Sequence, residues 1–155
     1  MVEEHFMGMP MSTFFKAEVR KAIVIGCSQY EELRQIEGKE NFADIPETLD
    51  DIKVVKAGLK RLQFQSSEIE ILKDPNYQKI KIAIDSASRE IFENYEEGRK
   101  TLLYVYYAGH GMMDNTTYCV LNGKRMYPLE KMLRTIAKQD GSYVMSVFDC
   151  CREKL

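Results

Sequence analysis

LLYVYYAGHGMMD, Leu102–Asp114, carries an apolar and aromatic run straight into a Gly-His-Gly turn. A run with no polar alternation, stopped by glycine, is the pattern of a buried strand. Such a strand delivers one histidine just past its carboxyl end. The chain has two histidines. His5 stands in a methionine-rich leader with no evident partner, so His110 is the one whose placement needs a chemical reason.

Similar runs lie on either side. KAIVIGCS, Lys21–Ser28, and EIEILKD, Glu68–Asp74, are β-rich, the second stopped by Pro75. Between them Ile45, Leu49, Ile52, Val55, Leu59 and Leu62 recur every three or four residues and form one apolar helical stripe after Asp44. A second stripe, Tyr77, Ile80, Ile84, Ala87, Ile91 and Tyr95, begins behind Asp74-Pro75-Asn76, where Asp74 or Asn76 can cap and Pro75 can open the turn. SYVMSVFD, Ser142–Asp149, reads as a fourth buried strand. A small hairpin in TTYCVLNGKRMY, with Asn122-Gly123 as its turn, and a helix from Pro128 to about Gln139 separate it from the third.

The order β-α-β-α-β-hairpin-α-β predicts an α/β fold of three layers, a mostly parallel sheet with helices on both faces, joined by right-handed crossovers. All strand carboxyl ends then share one rim, where open α/β sheets bind their ligands. His110 follows the third strand, Asp149 ends the fourth, and Cys151 comes two residues later. Asp51, in the first turns of the first helix, belongs to the same rim.

Composition narrows the partners. With 155 residues and 45% hydrophobic content the chain can bury one core, read as a leader over 1–20 and a single domain over 21–155. Its 24 acidic and 22 basic side chains interleave to a formal charge of −2, so no basic face is expected for nucleic acid. The leader has acids where a secretion signal needs basic residues, and no stretch is long enough to span a bilayer. Four cysteines without paired spacing suit neither a disulfide framework nor a zinc site, which points to a reducing, cytoplasmic compartment.

YYAGHG closing one strand and FDCCRE closing the next, preceded by LDDIKVVKAGL, resemble the large-subunit region of the caspase, paracaspase and metacaspase group of cysteine peptidases. The resemblance spans roughly Lys21 to Glu153. It implies a cysteine endopeptidase with Cys151 as nucleophile and His110 as general acid and base. It also makes the backbone N–H groups of Gly111 and Cys151 the oxyanion donors. Such a pair is needed because a thiol near pH 7 is only slightly ionised, and an imidazole both favours the thiolate and protonates the leaving amine. Cys150 falls where the family usually has a small residue. Asp51 and Asp149 match positions that form an acidic S1 pocket in metacaspases and paracaspases, which implies cleavage after arginine or lysine. No cofactor and no metal site are implied: the paired acids that bind calcium in metacaspases are not evident among Asp114, Glu130 and Asp140.

Family members continue past the nucleophile into a small subunit whose strands complete the groove, whereas this sequence ends at Leu155. A small-subunit segment or dimer partner is therefore expected beside the peptide or protein substrate. The alternatives are a catalytically inactive caspase-like scaffold that pairs through its exposed sheet edge and a nucleotide-binding domain. The latter has only the single glycine of IGCSQY to support it. Cys27 and Cys119 read as core or strand thiols, Asp50 as a helix-end acid, and the tyrosines at 104, 106 and 107 as sheet packing.

Overall fold

In the computed structural model, described over residues 17–37, 42–138 and 141–154, β1 (Val19–Gly26) and β3 (Thr101–Ala108) pair in parallel along their whole length. β2 (Ile69–Lys73) joins the outer side of β1, and β6 (Ser142–Asp149) joins the outer side of β3. The resulting order, β2-β1-β3-β6, turns in opposite directions from β1 and β3. Their carboxyl ends form the switch point at which this class of sheet receives ligands.

Helices cover both faces. α2 (Thr48–Arg61) buries Ile52 and Leu59 against Ala22, Val24, Leu102 and Tyr106. On the opposite face α1 (Glu31–Glu37), α3 (Tyr77–Glu96) and α4 (Leu129–Ile136) pack Leu33, Ile80, Ile84, Ile91, Leu129 and Leu133 onto Ile23, Ile25, Leu103, Val105 and Tyr107. Because adjacent strand residues point to opposite faces, β3 feeds both layers and is buried along nearly its whole length. Each fully buried aliphatic side chain there contributes about 1.5–3 kcal/mol. The three-layer α/β/α architecture with a parallel sheet is thus the one expected.

Local chemistry sets the ends. Asn76 caps α3, its side chain accepting the Lys79 N–H at 2.9 Å. Asp74 is used elsewhere: its carboxylate accepts from the Ser28 N–H, the Ser28 hydroxyl and the Gln29 N–H, which ties the β1 exit to the β2 exit.

The hairpin differs from expectation. Gly111–Asp114 is itself a strand, β4, and it turns at Asn115, where φ is 54°, into β5 (Thr116–Cys119). A short Asp-Asn connection with a left-handed residue closes a hairpin more tightly than the Asn122-Gly123 loop, which spans only the single Cys119–Tyr127 bridge. β7 (Arg152–Lys154) adds to the other side of β4 in parallel, giving a second sheet of order β5-β4-β7. α1 has no signal in the sequence pattern, since seven residues make too short a stripe. Residues 1–16, with His5, residues 38–41, and Gln139, Asp140 and Leu155 lie outside the described residues, and β1 begins two residues before the domain boundary placed at Lys21. No described helix is long and apolar enough to cross a membrane.

Candidate active site

The β3 exit turns at Gly109, whose φ of +153° suits glycine. A Cβ there would lie 2.6 Å from the Tyr30 hydroxyl and 2.7 Å from the Tyr107 hydroxyl. Both phenols are buried, and both hold the next residue. The His110 N–H donates to the Tyr30 hydroxyl at 2.9 Å, and the Tyr107 hydroxyl donates to the His110 carbonyl at 2.6 Å. The half-buried imidazole sits edge-on between Tyr30, 4.6 Å between ring centroids, and Phe42, 5.3 Å. Its Nε2 lies 2.8 Å from the Ala43 carbonyl oxygen. A carbonyl can only accept, so Nε2 carries the proton in this contact and a neutral ring keeps Nδ1 as the basic nitrogen.

Cys151 reaches the same rim through the second sheet. Gly111 and Arg152 are register partners in the parallel β4–β7 pair. His110 and Cys151 each immediately precede one of these partners, which makes them neighbours on adjacent segments, where strands run about 4.8 Å apart. Cys151 is exposed and Cys150 half-buried. The Cys150 side chain packs against the core that holds Tyr107 and Cys119.

On the opposite face one carboxylate is hydrogen-bonded to a phenol and a second exerts its charge on the same phenol. The Tyr106 hydroxyl donates to Asp149 Oδ2 at 2.9 Å. Burial, first, then Asp149 and then the charge of Asp51, raise the hydroxyl's pKa well above its ordinary value. Asp51, half-buried in the first turn of α2, and the exposed Asp149 at the end of β6 therefore act on one phenol. Asp50 points away and pairs with Lys53 at 2.7 Å in solvent.

The remaining thiols are of a different kind. Cys27 is buried and its thiol is pushed up to about 12, by burial and then by Asp74. Cys119 is fully buried and raised well above its ordinary value, again chiefly by burial. Both stay protonated at neutral pH, and Cys151 is the most exposed of the four thiols. Among the described residues no group of three or more His, Cys, Asp or Glu side chains is arranged to hold a metal ion.

Several contributors carry no functional signal in the sequence. Tyr107 and Tyr106 have the pattern of packing residues, yet their hydroxyls hold His110 and Asp149. Tyr30 and the Ala43 carbonyl lie on a segment whose only signal is the acidic start of α1. A backbone carbonyl has no sequence signature at all.

No curated protein matches the chain. The model of the caspase domain family, in contrast, matches residues 19–155, from the first residue of β1 past both the His110 turn and Cys151. The match covers most of the chain and the whole α/β sheet just described, and the chain accordingly belongs to the caspase domain family of cysteine peptidases.

Proposed function

We propose that this chain carries the catalytic pair of a cysteine endopeptidase, with Cys151 as nucleophile and His110 as its acid and base. The observation that carries the reading is the β4–β7 register, whose first partners directly follow His110 and Cys151 at the sheet's switch point. With Nε2–H directed at Ala43, Nδ1 is left to take the thiol proton. The thiolate attacks the scissile carbonyl carbon, and the carbonyl electron pair moves onto oxygen. Backbone N–H groups of Gly111 and Cys151 stabilise that oxyanion, an effect worth about 3–4 kcal/mol per donor in related chemistry. His110 returns the proton to the leaving amine. Water, deprotonated by His110, then hydrolyses the thioester.

Asp51 and Asp149, converging on Tyr106, give this site an anionic S1 pocket for arginine or lysine. Among the described residues β3 is the one strand paired with β6, and the outer edge of β6 is where a further strand, from this protein or a partner, completes the groove. The same edge supports a second reading, a non-catalytic scaffold that pairs through β6.

Single-turnover assays with peptides bearing arginine, lysine or aspartate at P1 separate the readings. Thioester accumulation on Cys151 with the basic peptides supports the peptidase. Tight binding with no acyl-enzyme supports the scaffold.

A further inference from the structure

His110 is held by a segment that is itself held from outside. Arg34, in the last turn of α1, uses Nη1 twice: it donates to the Phe42 carbonyl at 2.6 Å and to Asp44 Oδ1 at 2.9 Å. Asp44 Oδ1 also accepts the Tyr30 N–H at 2.8 Å. One guanidinium thus ties together both ends of Phe42-Ala43-Asp44 and, through Asp44, the residue whose hydroxyl receives the His110 N–H. The middle of that segment presents the Ala43 carbonyl to Nε2, and its first residue presents a ring to the imidazole.

We infer that Arg34 is the positioning residue for His110, pinning Phe42-Ala43-Asp44 so that the Ala43 carbonyl fixes the imidazole with Nδ1 available to Cys151. Arg34 touches neither the imidazole nor the thiol and acts only through this segment. Its side chain is 29% exposed, beside an open polar cleft lined by Asp44, Gln29 and Gln35, so its loss leaves the core intact. A lysine can keep one charged donor there but not the planar fork that aims it.

The catalytic consequence rests on the reading of His110 as the partner of Cys151, whereas the positioning itself does not. The test therefore begins without activity, on protein labelled with nitrogen-15 at histidine, where two imidazoles contribute. Wild type is expected to show a downfield, slowly exchanging Nε2–H that is absent in His110→Ala. Arg34→Met, folded by thermal melt, is expected to lose that resonance, with Arg34→Lys restoring part of it and Asp44→Asn weakening it. A wild type without the resonance, or folded Arg34→Met and Asp44→Asn that retain it at the wild-type exchange rate, overturns the proposal. In active protein Arg34→Met should lower kcat by about tenfold to a hundredfold with KM unchanged, as a misplaced catalytic group does. Alkylation of Cys151 in His110→Ala tests the pair separately. An unchanged rate there removes the His110–Cys151 reading while the imidazole spectra still decide the role of Arg34.

Discussion

Gly111 and Cys150 fit together only because residue 111 has no side chain: a Cβ there would lie 2.6 Å from Cys150 Sγ and 2.7 Å from the Cys151 carbonyl oxygen. The glycine after His110 is where the loop that carries Cys150 and Cys151 makes contact. Gly111→Ala should push residues 150 and 151 away from the β3 exit. Overpacking of this kind costs about 1–3 kcal/mol, readable as a lower urea midpoint with an unchanged slope. The displaced Cys151 should alkylate at a different rate. An alanine variant with wild-type stability and wild-type alkylation would mean that the contact is slack.

The thiols should separate by burial. Cys151 is exposed, whereas Cys27, raised to about 12, and the fully buried Cys119 remain protonated and shielded. Iodoacetamide at pH 8 is expected to modify Cys151 in the folded protein and to reach Cys27 and Cys119 only after unfolding, as peptide mapping by mass spectrometry will show. In a completed enzyme Cys151→Ala should abolish turnover and Cys150→Ala should preserve it. The reverse result places the nucleophile one residue earlier.

Arg34 also sets the behaviour of Asp44 in acid. Hydrogen bonding to Arg34, then the Tyr30 N–H, holds the Asp44 carboxyl below its ordinary value of 3.8. A depressed folded pKa means that the contribution of this pair is present above 3.8 and is lost as pH falls through the lower folded value. Arg34→Met should therefore move the Asp44 midpoint upward toward 3.8 in a carboxyl carbon-13 titration. Both partners are solvent-accessible, so the global melting temperature should change little.

Much of this is legible because burial writes periodicity into sequence. The unbroken runs of β3 and β6 and the stripes of α2 and α3 all follow from one-dimensional patterns, which place His110, Asp51 and Asp149 at the ends of their elements; which of Asp74 and Asn76 caps α3 is decided only by the fold. The second sheet is not legible, because Gly111–Asp114 looks like the tail of a turn and β7 is three residues long. The supports of His110 are hidden for a different reason. A buried tyrosine has the same sequence signature whether its hydroxyl is idle or holds a backbone, and Arg34 looks like any helix-surface cation until Phe42 and Asp44 are brought beside it.

Tyr106 donates to Asp149 and feels the charge of Asp51, so the pocket prediction is testable residue by residue. If both carboxylates receive the P1 side chain, a completed enzyme should cleave after arginine or lysine and ignore aspartate. Asp51→Asn and Asp149→Asn should each lower kcat/KM for basic peptides. Losing one partner of a desolvated charge pair costs on the order of 2–5 kcal/mol, about tenfold to several thousandfold. Asp149 is the more exposed of the two and should fall at the lower end. Asp50→Asn is the internal control: its carboxylate pairs with Lys53 in solvent, so its kinetics should match wild type. Tyr106→Phe removes the donor to Asp149 but leaves both charges, and should raise KM for arginine peptides less than either asparagine variant does. Preference for aspartate at P1, or indifference to both asparagine variants in protein shown to be folded, removes the acidic pocket and leaves the His110–Cys151 pair to be judged by its own experiments.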